Sequence, residues 1–285
     1  MTVHIRQARA EDVEQCGRIC YEAFAAVAGA HNFEPDFPNA DVATNVLARA
    51  FSHPASYAVV AEENGRVLGS NILHEGGAVS GIGPITVDPD AQNKGVGTRL
   101  MRAAMERGAA RGFAGIRLVQ AGYHCRSLSL YSKLGFEVRE HLSCFQGRPV
   151  ERSLAGYDVQ PAREADIGAC NAICRAVHGL DREGELRDRI AEGCASVVQR
   201  NGRITGYATG VAFFGHAVGE TGDDLKALIA NAHRYLGPGF LVPSRNGALM
   251  RWCLDNGLRI TQTLTLMTVG LYSEPAGAWL PSILY

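Results

Sequence analysis

One stretch, residues 85–102, constrains this chain more than any other: ITVDPDAQNKGVGTRLMR. A β-branched run closes at Asp88-Pro89, a polar loop follows with glycines at positions 95 and 97, and a helix begins at once with Leu100, Met101 and Ala104 on its apolar face. The pattern reads as strand, loop, helix. Glycine lets the backbone approach a ligand with no Cβ in the way, and the first amides of a new helix point outward unpaired. Together with the helix dipole, this predicts a site for a phosphate or pyrophosphate.

The rest of the chain sets the limits around that site. With 285 residues it exceeds one ordinary domain, and 46% hydrophobic with 20% charged residues is the composition of a folded globular chain. A net charge of -1 gives no electrostatic reason to expect nucleic acid or an anionic membrane as partner. The opening MTVHIRQARAEDVEQ carries no signal-like apolar segment, and no apolar run is long enough to span a bilayer, so a cytoplasmic location is expected. Of the eight cysteines, Cys16/Cys20 and Cys170/Cys174 lie four apart on helical patterns. Zinc is conceivable for such pairs, but small apolar core residues in a reducing compartment is the preferred reading, and no metal is expected.

The alternation and turn signals predict, in order, a strand over 3–8, a helix starting near Glu11 or Asp12, a proline- and aromatic-rich loop over 31–38, a helix over 39–51, and strands over 57–61 and 67–73 joined at Asn64-Gly65. A strand over 79–87 then feeds the loop and its helix, followed by a strand over 115–119, a helix over 127–134 and a further strand from Gly135. Spacing narrows the phosphate ligand. A Walker A loop needs Gly-Lys-Ser/Thr after its first glycine, whereas Lys94 precedes the glycines here; a dinucleotide fingerprint fails because Gly81-Ile82-Gly83 runs into Pro84. Gln92-Asn93-Lys94-Gly95-Val96-Gly97 resembles instead the Gln/Arg-x-x-Gly-x-Gly/Ala signature of the GNAT superfamily of acyl-CoA-dependent N-acetyltransferases. A second motif, Leu130-Tyr131-Ser132-Lys133-Leu134-Gly135-Phe136, is similar to the Leu-Tyr-x-Lys-x-Gly-Phe of the family's late helix. Physically, Gly135 suits the left-handed residue that ends a helix, with Phe136 folding back as the apolar contact of the cap.

The resemblance implies acetyl-CoA as the bound coenzyme. Its pyrophosphate would lie on Gln92, Asn93, Lys94, Gly95, Val96, Gly97 and Thr98, its arm along Ile85, Thr86 and Val87, and Tyr131 would donate a proton to the leaving thiolate. One departure stands out: His124 replaces the asparagine that many members carry seven residues before the tyrosine. A histidine with an ordinary pKa near 6.5 can act as acid or base, so His124 joins the catalytic candidates. The attacking amine must lose a proton. Gly81 occupies the position of the glutamate base of some members and is excluded; His74 and Glu75 end the preceding strand, and His31, Glu34 and Asp36 in the early loop are rivals. Glu75 is carried forward with Tyr131 and His124, and His31, Phe33, Glu34 and Asp36 are the acceptor-binding candidates, the two acids attracting a cationic amine.

The chain also repeats itself. Residues 159–167 line up with 5–13, Cys170, Ile173 and Cys174 fall on Cys16, Ile19 and Cys20, and Val197-Val198 with Asn201-Gly202-Arg203-Ile204 match Val59-Val60 with Asn64-Gly65-Arg66-Val67. In the second copy an expected strand over 206–214 and helix over 225–235 flank Glu220, Asp223 and Asp224, acids placed where a pyrophosphate would need amides and cations. Aligning Gly257-Leu258 with Gly135-Phe136 sets Cys253 opposite Tyr131, and the apolar tail with Trp279, Leu280 and Ile283 is expected to dock, with the first domain as candidate. The fold expected is α/β: two GNAT-like domains, each a mixed, mostly antiparallel twisted sheet flanked by helices. Residues 1–148 are expected to bind acetyl-CoA and catalyse, 149–157 to link, and 158–285 to be a degenerate copy that shapes an acceptor cleft. The expected activity is acetyl transfer to a primary amine of a small molecule; the alternative is a non-catalytic acyl-CoA-binding sensor.

Overall fold

The computed structural model describes residues 3–284, which divide into two compact units. The first contains the chain up to Leu118, Tyr123–Glu137 and Thr268–Leu271; the second contains Val119–Gly122, Val138–Met267 and the chain from Tyr272 onward.

In the first unit, β1 (His4–Gln7) leads to α1 (Val13–Ala30) and α2 (Ala40–Ser52), then β2 (Ser56–Glu63) and β3 (Arg66–His74). Asn64 and Gly65 both take positive φ, 52° and 78°, as a two-residue hairpin turn demands. Next come β4 (Ser80–Ile82), β5 (Thr86–Val87), α3 (Val96–Ala110), β6 (Gly115–Ala121) and α4 (Cys125–Lys133). The sheet runs β1-β2-β3-β4-β6, antiparallel except for the parallel β4–β6 pair. β2 explains why helices cover both faces. Its Ala58 and Val60 pack with Cys16, Ile19 and Leu47, whereas Val59 and Ala61 pack with Val96 and Leu100 of α3. Cys16 and Cys20 are core residues, and burial pushes the Cys16 thiol up to about 12. The strand expected over 79–87 is broken in two, because Gly83 turns away at φ 138° and Pro84 has no amide hydrogen to give to a ladder.

The second unit takes nearly all of β7 (Glu137–Gln146), then β8 (Asp158–Pro161), α5 (Ile167–His178), α6 (Glu183–Ala191), β9 (Ser196–Arg200) and β10 (Arg203–Ala208). It continues through β11 (Ala217–Gly219), α7 (Gly222–Asn231), β12 (Phe240–Pro243), α8 (Gly247–Asp255), β13 (Arg259–Gly270) and β14 (Ala278–Leu280). One sheet has the order β14-β11-β10-β9-β8, and β7 lies between β13 and β12. The repeat seen in the sequence is a repeat of structure. Arg9 and Arg163 each donate their backbone amide to the aspartate three residues on, at 2.7 and 2.8 Å, just before the first helix of each copy. Asn201 and Gly202 repeat the left-handed turn at 53° and 73°. Gly69 and Gly206 occupy the same place: a Cβ there would meet Thr86 O at 2.3 Å and Val218 O at 2.7 Å.

Three expectations for this unit are corrected. The strand expected over 206–214 ends at Ala208, and the following helix is shifted to Gly222–Asn231. The tail docks within the second unit: Leu280 pairs with Ala217, so β14 satisfies the open edge of β11, while Trp279 meets His178 edge-on at 5.4 Å.

A buried polar network ties α6 to β10 and β11. Arg182 donates to Glu185 at 2.8 and 2.5 Å, Thr209 donates to the other carboxylate oxygen at 2.7 Å, His216 lies 3.1 Å from it, and the far nitrogen of His216 is 3.1 Å from the Tyr207 hydroxyl. Burial raises the Glu185 carboxyl, but Arg182 and His216 outweigh it and hold the group well below the usual range. Removing the carboxylate takes away the acceptor that Arg182, Thr209 and His216 share. Glu185→Ala is expected to lower unfolding stability by about 3–5 kcal/mol in urea titrations; a loss under about 1 kcal/mol would show that solvent already serves Arg182.

Candidate active site

β3 gives β5 its only sheet partner among the described residues, through Gly69–Val87 and Ser70–Thr86. β4 pairs with β6 just over Ser80–Ile116 and Gly81–Arg117, and past Gly83 the chain leaves that ladder. Ile85, Thr86 and Val87 therefore keep one edge out of the sheet, and the buried Thr86 hydroxyl has no hydrogen-bond partner among the described residues.

The loop beyond is shaped by its own backbone. Asp88 accepts from the amide of Asp90 at 2.9 Å and pairs with Arg66 at 2.5 Å, fixing the exit from β5. Asn93 at φ 63° and Gly95 at φ 79° then turn the chain left-handed into α3. Gly95 is the N-cap residue, no side chain caps the helix, and the first amides, from Val96 through Gly97 and Thr98, face outward. A Cβ on Gly97 would meet Leu130 at 3.5 Å and Val87 at 3.7 Å, ordinary contacts, so nothing inside the protein requires a glycine there. The arrangement fits an anion resting on the amides. Gln92 donates to Val87 O at 3.1 Å and accepts from Arg126 at 2.8 Å, which holds a guanidinium beside the loop; Lys94 reaches back to Asp90 O at 3.0 Å.

α4 supplies the second half of the site. It ends in the double hydrogen bond expected of its sequence, Phe136 N to Tyr131 O at 3.0 Å and Gly135 N to Ser132 O at 3.1 Å, with Gly135 at φ 91°. α8 ends the same way, Leu258 N to Cys253 O at 3.1 Å, which confirms Cys253 as the counterpart of Tyr131. Tyr131 is buried, hydrogen-bonded to Ser127 and edge-on to Phe136 at 6.2 Å; burial pushes its hydroxyl up to about 12. His124 is the N-cap residue of α4, and its Nδ1 lies 2.6 Å from Ser127 Oγ. Burial, Arg126 and His31 lower its pKa, so its ring is neutral at pH 7.

The early loop meets this helix start. Phe33 stacks on Tyr123 at 4.2 Å with 10° between the rings, and His31 lies 5.2 Å from the same ring while bonding Val27 O at 2.8 Å. Burial and the charge of Asp36 push the Tyr123 hydroxyl up to about 12, and Glu34 is exposed on the loop. The structure thus brings His31, Phe33 and Asp36 together with Tyr123 and His124. Glu75 is elsewhere: Arg107 holds it at 2.7 and 3.1 Å and Arg111 lies at 3.5 Å, at the C-terminal end of α3, opposite the loop. Three residues escaped the sequence reading, Tyr123, Arg126 and Ser127. Ser127 had a signal, since positions four apart on a helix share a face with Tyr131.

The second copy has no such loop. Between Val87 and Val96 lie eight residues, 88–95; between Gly219 and Gly222 lie two, Glu220 and Thr221. Thr221 and Asp224 cap α7 reciprocally, at 2.8 Å for Thr221 N to Asp224, and Glu220 is held by Arg203.

Comparison with known proteins agrees with this geometry. Residues 22–136 match the Acetyltransferase (GNAT) family. An uncharacterized N-acetyltransferase, YitH, from Bacillus subtilis (strain 168) is 30% identical over 141 residues, 47% of this chain and 48% of that protein. The chain spans about half the length of the curated relatives it matches. The crystal structure of a putative acetyltransferase from Pyrococcus horikoshii superposes with a TM-score of 0.75 at 17% identity, covering 96% of this chain and 91% of that one. A tandem GNAT protein from the clavulanic acid biosynthesis pathway gives 0.57 at 14% identity, covering 94% and 98%. Residues 22–136 thus resemble a GNAT acetyltransferase domain, and the chain as a whole shares its fold with a tandem GNAT protein.

Gly95 and Gly97 separate conformation from space. Gly95→Ala is expected to cost about 1–2 kcal/mol in unfolding free energy, because φ stays at 79° whatever room is available. Gly97→Ala should leave stability level or raise it by up to about 1 kcal/mol, as alanine is the better helix former; the reverse order would contradict the assignment of the two glycines.

Proposed function

We propose that this chain is an acyl-CoA-dependent N-acetyltransferase that moves the acetyl group of acetyl-CoA to a primary amine of a small molecule. The observation that carries the reading is an uncapped helix N-terminus after a left-handed glycine, in the same unit as a buried tyrosine on the following helix. Residues 1–148 hold the coenzyme and the chemistry, and residues 158–285 are a copy without a phosphate loop. Acetyl-CoA supplies the thioester. The amides of Val96, Gly97 and Thr98 with Gln92, Asn93, Lys94 and Gly95 receive its pyrophosphate, and the outer edge of Ile85, Thr86 and Val87 receives its arm.

With a hydroxyl raised to about 12, Tyr131 keeps its proton throughout the neutral range and gives it to the departing sulfur. His124, neutral at pH 7, is the better base than Glu75, whose two oxygens are engaged by Arg107 and Arg111. His31, Phe33, Glu34 and Asp36 receive the acceptor, the aromatic pair packing its apolar part and the acids drawing a cationic amine. Calorimetric titration of acetyl-CoA is expected to give one site per chain, abolished by Gly97→Glu, which puts bulk and negative charge on the amides. No heat with the intact chain would remove the reading.

A further inference from the structure

We infer that Ser127 is a positioning residue that joins the base and the acid of this site into one proton circuit, His124–Ser127–Tyr131. The inference rests on the reading of Tyr131 as proton donor. Three positions on α4 make it: the N-cap residue, the residue three further on, and the residue one turn beyond that. Ser127 Oγ is 2.6 Å from His124 Nδ1, and the same hydroxyl is hydrogen-bonded to Tyr131. Tyr131 is only 6% exposed, so bulk water is poorly placed to return a proton to it, whereas His124 and Ser127 are half-buried. The charged and titratable groups facing His124 are Arg126 on its own helix and His31 on the early loop, with Tyr123 beside His31.

The protons balance. A neutral amine forms its bond to the thioester carbon, and the C–S bond then breaks with its electron pair going to sulfur. His124 Nε2 takes one proton from the nitrogen of the adduct while Nδ1 passes its own to Ser127; Ser127 passes its proton to Tyr131, and Tyr131 gives one to the sulfur. One proton leaves nitrogen, one arrives on sulfur, and His124 ends as the other tautomer, which exchange with solvent at Nε2 resets. No oxidant or further reactant is needed.

The test is thiol release from acetyl-CoA with hydroxylamine as the amine, a nucleophile small enough to need no acceptor pocket. Ser127→Ala is expected to lower kcat by about 10²-fold, the lower end of the range for acid–base catalysis, with KM for acetyl-CoA within about twofold. Ser127→Thr, which retains the hydroxyl, should recover most of the rate. In mixtures of light and heavy water the intact enzyme should show a curved dependence of kcat on deuterium fraction, from several protons in flight, and Ser127→Ala a straight one. Unchanged kcat and curvature in Ser127→Ala, beside a Tyr131→Phe variant that loses turnover, would overturn the circuit and leave the acid in place. Tyr131→Phe with full turnover, or no enzyme-dependent thiol release at all, would overturn both.

Discussion

An uncapped helix is the constraint on which the site depends. A helix leaves its first amides without intrahelical partners, and most helices satisfy some of them with a side chain at the N-cap position, a contact worth about 1 kcal/mol. At α3 the N-cap residue is Gly95, which has no side chain to offer. The same helix in the second copy is capped by Thr221 and Asp224 acting on each other's backbone, with Thr205 donating to Asp224 at 2.5 Å. One fold has therefore been used twice with opposite solutions at the same place. In the first copy no side chain caps the amides, and in the second the protein caps them itself.

The surrounding structure follows from keeping that helix end open. β5 must deliver the chain to α3 at the correct depth, which the pairing of Gly69 and Ser70 with Val87 and Thr86 achieves, and Asp88 with Arg66 fixes the turn out of the strand. Val96 and Leu100 anchor the helix against Val59 and Ala61 on the same face of β2. The left-handed cap of α4 fixes where Tyr131 stands, and the stacking of Phe33 on Tyr123 fixes the early loop against the start of α4. In the second unit, Arg182, Glu185, Thr209, His216 and Tyr207 form a polar network whose donors and acceptors face each other.

Much of this was legible in the residues because local conformation and local chemistry agree there. Gly95, the Asn64-Gly65 turn and the Gly135-Phe136 cap each require a backbone state that few residues accept, so the sequence announces them. Duplication was legible for the same reason, through turns and caps recurring in order. What stayed hidden depends on tertiary partners. The break at Gly83-Pro84 separates β4 from β5 within one apolar run, and the tail strand Ala278–Leu280 is explained only by the open edge of β11. Glu75 reads as a free acid in sequence, whereas Arg107 and Arg111 reach it from a helix more than thirty residues away. In the second copy the acids near 220–224 were visible, but the loss of the loop between β11 and α7 needed the helix start to be located.

The central claim, that the first amides of α3 are reserved for the coenzyme, is tested most directly by amide hydrogen exchange with and without acetyl-CoA. The account predicts strong slowing at Val96, Gly97 and Thr98 on addition of acetyl-CoA, with no change at Gly222, Asp223 and Asp224, where α7 is already capped. Equal protection at both helix starts, or none at α3, would contradict it.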